Sequence, residues 1–366
     1  MSVYEVIRKY SRNAINEAIS NASAGDVARI LTKEGITLED FLVLISPVAS
    51  GFLEEMARKA QDITLRHFGK TVIIYAPLYL ANYCVNRCVY CGFNAFNRLD
   101  RRKLTLEEVF NEAQNISRSG IKHILLLTGE SKKYSPVEYI KECAIEVSKF
   151  FSSISIEVYP LEEVEYRMLS ENGVDGLTIY QEVYDEDVYE VMHPSGPKKN
   201  YLYRLDAPER GCRGGMRSVG IGTLLGLGEW RTEVFYTALH AQYLAKNYSD
   251  VEISVSLPRI CPNTGNFAVP FPVNDMEFVQ IMLAYRLFLQ HVGITISTRE
   301  RAELRDNLVG LGVTRMSAGS VTEVGGYSSS RGDGQFKISD ERSVEDIKQM
   351  LYSKGFQPVF KDWQHI

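Results

Sequence analysis

The order of apolar and polar positions predicts a helical opening followed by a long alternation. Over residues 1–70 the apolar positions recur at helical spacing. "TLEDFLVLIS" begins with Thr37 and has Asp40 three residues on, the pattern of a capping box. A second helix runs through "GFLEEMARKAQDITLRHFG" and stops at Gly69. From residue 71 the period changes. Runs rich in Val, Ile and Leu at 71–80, 123–130, 153–160, 176–184, 218–226, 251–259, 294–300 and 314–320 read as short strands buried on both faces. Helical stretches separate them, one of them opened by Thr105 and Glu108 and closed by Gly120. Eight strands alternating with helices predict a parallel sheet, and eight is the number that closes a barrel. The fold class is therefore α/β, a (β/α)8 TIM-type barrel, with a doubly wound open sheet as the alternative. The expected boundaries are a helical extension over 1–70, the barrel over 71–325 and a C-terminal extension over 326–366, with one helix opened by Ser343.

Composition narrows the partners. The chain has 366 residues and a net charge of −5, with no basic excess to support nucleic acid or an anionic membrane as a partner. Its first residues lack the apolar core of a signal peptide, and no run approaches the length of a membrane span, so a cytoplasmic protein is expected. In a reducing compartment six cysteines do not form a disulfide framework. Half of them, Cys84, Cys88 and Cys91, crowd into "CVNRCVYC" directly after the first strand, at the end where barrel enzymes keep their chemistry. A structural zinc usually needs a fourth ligand. The following "GFNAFNRLDRRK" holds neither Cys nor His. In a 4Fe-4S cluster each iron wants a terminal ligand, so three cysteines leave one iron open for a substrate or cofactor. Cys143, Cys212 and Cys261 are expected to be buried structural thiols.

The spacing C-x3-C-x2-C, with Tyr90 before the last cysteine, resembles the radical S-adenosylmethionine (SAM) enzymes. That resemblance implies a 4Fe-4S cluster whose open iron binds SAM and, once reduced, splits it to a 5′-deoxyadenosyl radical. "TGE" resembles the family's "GGE" turn and implies that Thr128, Gly129 and Glu130 meet the SAM amino group. On the residues alone, Glu130 could equally be a carboxylate facing solvent. The resemblance also implies cofactor contacts from Glu157, Tyr180, Glu182 and Arg204, each open to the plainer reading of a structural pair. "VGIGTLLGLGE" resembles the strand that packs beside adenine.

Longer segments narrow the likeness. "PLYLANYCVNRCVYCGFN", "YQEVYDEDVYEVMHPSGPKKNYLYRLDAPERG", "GIGTLLGLGEWR", "SVSLPRICP", "STRERAELRDNL" and "TRMSAGSVTEVGGY" together resemble the aromatic amino acid lyase branch. This implies cleavage of the Cα–Cβ bond of L-tyrosine to 2-iminoacetate and p-cresol, for thiamine thiazole synthesis. The partners implied are a transient thiazole synthase and a low-potential electron donor such as flavodoxin or ferredoxin. Arg299 would clamp the substrate carboxylate with two N–H groups. Ser317, with Ser320 close in sequence, would hold its other side, and Tyr79 matches a substrate-contacting position. Plainer readings compete: Arg299 could pair with Glu303, Ser317 could satisfy backbone and Tyr79 could simply pack. His193 is expected in a loop, and Arg231 and His240 on a helix surface. Two alternatives stay open. One is a lyase of another aromatic amino acid such as tryptophan. The other is a hydrogenase-maturase-like tyrosine lyase lacking the second cluster, since no cysteine follows Cys261.

Overall fold

The computed structural model describes residues 2–261, 267–328 and 332–361. Its centre is a parallel sheet built from β1 (Thr71–Ala81), β2 (His123–Thr128), β3 (Ser153–Glu157), β4 (Gly176–Thr178), β5 (Ser218–Gly222), β6 (Glu252–Ser256), β7 (Gly293–Ile296) and β8 (Arg315–Ser317). Consecutive strands pair in order, and β1 pairs with both β2 and β8, which closes the barrel. The open-sheet alternative is thereby ruled out. A ninth strand, β9 (Gln357–Val359), lies parallel to the start of β1, where β2 has not yet begun.

The strand interiors are almost entirely buried, as a sheet covered by helices on one face and filled by side chains on the other requires. The helix signals hold. Thr37 with Asp40, Thr105 with Glu108 and Ser343 with Asp346 each form a reciprocal capping box. Gly69, at φ 63, ends the helix Leu53–Phe68 in a conformation that costs a residue with a Cβ more.

The strands stop earlier than their apolar runs. Residues 179–182 still reach toward β5: Ile179 N–H donates to Gly220 O and Gln181 N–H to Gly222 O. The chain then turns at Glu182, whose φ of 71 is sterically costly for a residue other than glycine. A bulge between Tyr79 and Ala81 likewise swings the end of β1 into the cysteine loop. The ends of the apolar runs are therefore the mouth of the barrel rather than more sheet.

The N-terminal helices pack on the outer layer. Phe41 stacks on Tyr285 at 5.9 Å and tilts against Phe288 at 5.2 Å, while Gln280 donates its amide to Leu44 O and Ser46 O. The helices Trp230–Asn247 and Asp275–Phe288 are consequently buried on nearly every side. This corrects the expectation for His240, which is 1% exposed and whose Nδ1 lies within hydrogen-bond distance of the Tyr184 hydroxyl at 3.0 Å. Arg231 is half-buried rather than on an open surface, its Nε donating to Ile45 O. No described helix is long and apolar enough to cross a membrane.

Candidate active site

The cysteine loop is built by alternation. Val85, Arg87 and Val89 face outward, while Asn86, Cys88 and Tyr90 are buried and Cys84 and Cys91 are half-buried. Backbone bonds pin it on both sides: Val85 N–H to Glu130 O, Arg87 N–H to Ser195 O and Val89 N–H to Met192 O. Asn86 bridges those sides, donating to the Glu130 carboxylate at 2.5 Å and accepting from Lys198 N–H at 3.0 Å. Arg101 closes the far end on the carbonyls of Asn82, Phe93 and Asn94. A Cβ on Gly129 would lie 2.4 Å from Tyr83 O, so the small residue of the "TGE" turn lets β2 press against this loop. Burial pushes the Cys88 thiol up to about 12; Lys198 opposes that, and the Cys91 and Cys84 thiols reinforce it. Among the described residues no three His, Cys, Asp or Glu side chains converge as ligands of a single ion. A four-iron cluster engages each thiolate at a different iron, and buried thiols crowded on one loop suit such a centre, whose positive irons favour the thiolate form.

Beside Cys91 lies a cavity lined by Tyr90, Glu157, Tyr180, Glu182, Lys198 and Arg299. Glu182 accepts Lys198 Nζ at 2.7 Å and Arg204 Nη2 at 3.3 Å, and Arg204 Nε donates to Tyr180 O at 2.7 Å. Burial alone would raise the Glu182 carboxyl, but Lys198 and Arg204 outweigh it and hold the group below its ordinary value. Among the described residues Glu157 has no such close pair. Burial pushes it up to about 7, against the attraction of Arg299. The Thr128 hydroxyl is buried and without a partner among the described residues. Tyr90 donates its hydroxyl to His193 Nε2 at 2.8 Å, because His193 Nδ1–H is committed to Tyr189 O. His193 lies just past the helix Glu186–Met192 and is fully buried, with burial driving it down to about 3, so it stays neutral. The glycines of the "GIG" segment meet neighbouring strands: a Cβ on Gly222 would lie 2.8 Å from Ser256 O.

A second cavity continues into the barrel and shares Glu157, Tyr180, Pro258, Arg299, Gln335 and Phe336 with the first. Tyr79, Ser317 and Ser320 also line it, so four residues that the sequence singled out for substrate, Arg299 included, meet there. Arg299 makes no ion pair with Glu303, which Arg301 holds at 2.6 Å. Its guanidinium instead stacks on Phe336 at 3.5 Å and donates to Arg259 O. Ser317 Oγ accepts Thr298 N–H at 3.0 Å, so the plainer backbone role is filled as well. The Ser320 hydroxyl is buried and unpartnered among the described residues. Tyr79 donates to Gln335 Oε1 at 2.8 Å and meets Phe93 edge-on.

The sequence reading missed Lys198, Gln335 and Phe336. Gly92, directly after the last cysteine, was the one trace of Gln335: a Cβ there would stand 2.2 Å from Gln335 O. Cys143, Cys212 and Cys261 are buried, as expected.

Two family models match: the radical SAM superfamily over residues 78–237, and the biotin and thiamin synthesis associated domain over 256–357. The chain is 37% identical to the 2-iminoacetate synthase of Escherichia coli K12, over 97% of this chain and 95% of that one. It is 36% identical to the enzyme of the same name from Salmonella typhimurium, with the same coverage. Among solved structures, the FeFe-hydrogenase maturase HydG of Carboxydothermus hydrogenoformans superposes with a TM-score of 0.86 at 34% identity, covering 98% of this chain and 82% of that one. Methylornithine synthase, with a TM-score of 0.74 at 20% identity over 91% of this chain and 97% of that one, shares the fold.

Proposed function

The chain belongs to the 2-iminoacetate synthase family of radical SAM enzymes, and from that membership we propose that its two joined cavities hold SAM and free L-tyrosine side by side. The reaction is cleavage of the tyrosine Cα–Cβ bond to 2-iminoacetate and p-cresol. The observation that carries this reading is the shared wall: Glu157, Tyr180, Arg299 and Gln335 face both spaces, so a radical formed in one has its target in the other.

Cys84, Cys88 and Cys91 would hold a 4Fe-4S cluster that supplies the electron to cleave SAM reductively into methionine and a 5′-deoxyadenosyl radical. The remaining work falls to the protein. Thr128, Glu130 and the backbone at Gly129 receive the SAM amino group, and the paired charges of Lys198, Arg204 and Glu182 set the polar end of its cavity. Tyr90, fixed by His193, walls that cavity, and Glu157 offers oxygens to the ribose. Arg299 and Ser317 hold the tyrosine carboxylate. Ser320 adds a hydroxyl with no competing partner, and Tyr79 closes the side toward the cysteines. Tyr79, Tyr90, Glu182, Arg204, Ser317 and Ser320 are buried, which helps to exclude water from the radical.

The same reading makes the protein cytoplasmic, with a low-potential flavodoxin or ferredoxin as reductant and a thiazole synthase as transient acceptor of 2-iminoacetate. The test is anaerobic reconstitution followed by incubation with dithionite, SAM and tyrosine. Expected are about four irons per chain and p-cresol formed together with 5′-deoxyadenosine. Deoxyadenosine released only with tryptophan, and no p-cresol from tyrosine, would transfer the assignment to another aromatic lyase.

A further inference from the structure

Beneath the substrate cavity a smaller one continues toward the barrel floor. The two share Tyr75, Leu125, Tyr180, Ser256 and Thr295, so they form one shaft on two levels. Its polarity changes with depth. Arg299, shared with the cavity beside Cys91, and Ser320, past the end of β8, stand toward the mouth; Pro77, Leu125, Leu127 and the Tyr180 ring line the wall, with Ser317 opposite Tyr75 in the β1–β8 register; and the floor is set by His123, Ser155, Thr178, Ser254 and Arg315. L-Tyrosine has the same order along its length: a charged head, an aromatic ring and one terminal hydroxyl. The floor cavity, about 20 Å³, has room for a single water-sized group.

Two side chains at that floor have a buried polar atom without a partner among the described residues: Arg315, whose guanidinium already pairs with Glu252 through Nη2, and an imidazole. His123 is 3% exposed, and its Nε2 lies 3.0 Å from Ser155 Oγ. Its Nδ1 has no partner among the described residues. A buried polar atom without a partner costs free energy that a ligand can recover by bonding to it. Burial keeps the ring neutral, with Arg315 and Arg217 acting in the same direction, so it is suited to a hydroxyl rather than to a carboxylate. The Tyr75 ring, 6.1 Å away and tilted by 48°, flanks the approach.

We propose that His123, held by Ser155, receives the phenolic hydroxyl of tyrosine at the barrel floor and is the residue by which the enzyme tells tyrosine from phenylalanine. This rests on the tyrosine reading above. Indole has no hydroxyl at the matching end, so the same contact disfavours tryptophan.

The test uses the reconstituted enzyme with SAM, measuring tyrosine and phenylalanine dissociation constants by calorimetry and p-cresol formation in parallel. Wild type is expected to bind tyrosine at least about tenfold tighter than phenylalanine, as a site that hydrogen-bonds a substrate hydroxyl should. In His123→Leu the tyrosine constant rises about 10- to 100-fold while that of phenylalanine hardly moves, and the ratio falls toward one. Ser155→Ala, which frees the imidazole, shifts the ratio in the same direction by less, and serves if His123→Leu does not take up its cluster. Discrimination unchanged in the variant that folds, or absent in wild type that still makes p-cresol, overturns the subsite alone. Wild type that makes no p-cresol from tyrosine removes the tyrosine reading, and the subsite with it.

Discussion

Gln335 spans both halves of the site with one amide. Its Oε1 takes the Tyr79 hydroxyl, and its Nε2 stands 3.9 Å from Cys91 Sγ, 244 residues away in sequence. An N–H aimed at a cluster ligand stabilises the more negative, reduced state. Gln335→Leu is therefore expected to lower the cluster's midpoint potential by roughly 20–65 mV, the one-electron equivalent of the 0.5–1.5 kcal/mol that a hydrogen bond contributes. A redox titration followed by electron paramagnetic resonance reads this directly, and an unchanged potential would show that the amide serves Tyr79 alone. Arg299 is the second residue whose environment makes a sharp statement. No carboxylate among the described residues lies within ion-pair distance, and Phe336 holds its guanidinium flat. Arg299→Lys keeps the charge but loses the planar fork and the stacking. It should weaken tyrosine binding by about 1.5–3 kcal/mol, the worth of a charged hydrogen bond, with cluster content unchanged. Tyrosine affinity equal to wild type would exclude it as the clamp.

At the scale of elements, the helix Trp230–Asn247 shows what an added layer does to chemistry. Because the N-terminal helices cover it, Glu233 is buried and pushed up to about 7, while burial drives His240 down to about 3. The signs oppose. Glu233 contributes stability that is full below its ordinary 4.5 and is lost as pH rises through about 7. His240 contributes stability that is full above its ordinary 6.5 and is lost as pH falls toward about 3. Between 4.5 and 6.5 the two slopes cancel in wild type. His240→Phe removes one of them, so relative to wild type it should gain about 1.4 kcal/mol per pH unit as pH is lowered through that window. Thermal unfolding at pH 6.5 and 5 measures the difference, and parallel Tm profiles would count against it. The burial of His240 was illegible because the sequence shows a helix's own periodicity and not that Tyr184, 56 residues earlier on the connection after β4, packs against it. Strand order, helix starts and the placement of the cysteine loop were legible, since capping boxes, buried apolar runs and the eightfold count are local signals. The strand ends were not, because residues 179–182 remain apolar or bonded to β5 after the regular ladder has stopped. Arg299, Ser317 and Glu157, which stand at or just past strand ends, were singled out in the sequence, and all three line the substrate-side cavity. Lys198 and Gln335 lie on long connections whose course only packing decides.

For the whole molecule, the decisive feature is how the chain beyond the eighth strand is bound back to the barrel. Three of its attachments bear on the site and the barrel floor: Gln335 at the mouth, Asp340 in the interior and β9 along the start of β1. The middle one is an ion pair taken wholly out of water. Arg305 and Asp340 are both wholly buried, and the other arm of Arg305 donates to Ser317 O at the end of β8. Arg342 adds a second cation to Asp340 at 2.8 Å and reaches Asp306 as well. Those cations together hold the Asp340 carboxyl below its ordinary range in spite of its burial. Removing the carboxylate strands a guanidinium in an interior that cannot solvate it, a loss of about 3–5 kcal/mol. Because Arg305 also fixes the carbonyl of Ser317, the cost should not stop at stability. Asp340→Ala is expected to lower the Tm and also to weaken tyrosine binding, with a smaller change in SAM binding. The double variant Arg305→Met/Asp340→Leu separates the two effects: it removes the stranded charge and should recover part of the Tm, but not tyrosine affinity, since Ser317 O still lacks its donor. If affinity recovered together with Tm, the link from the C-terminal segment to Ser317 would be one of global stability rather than of position.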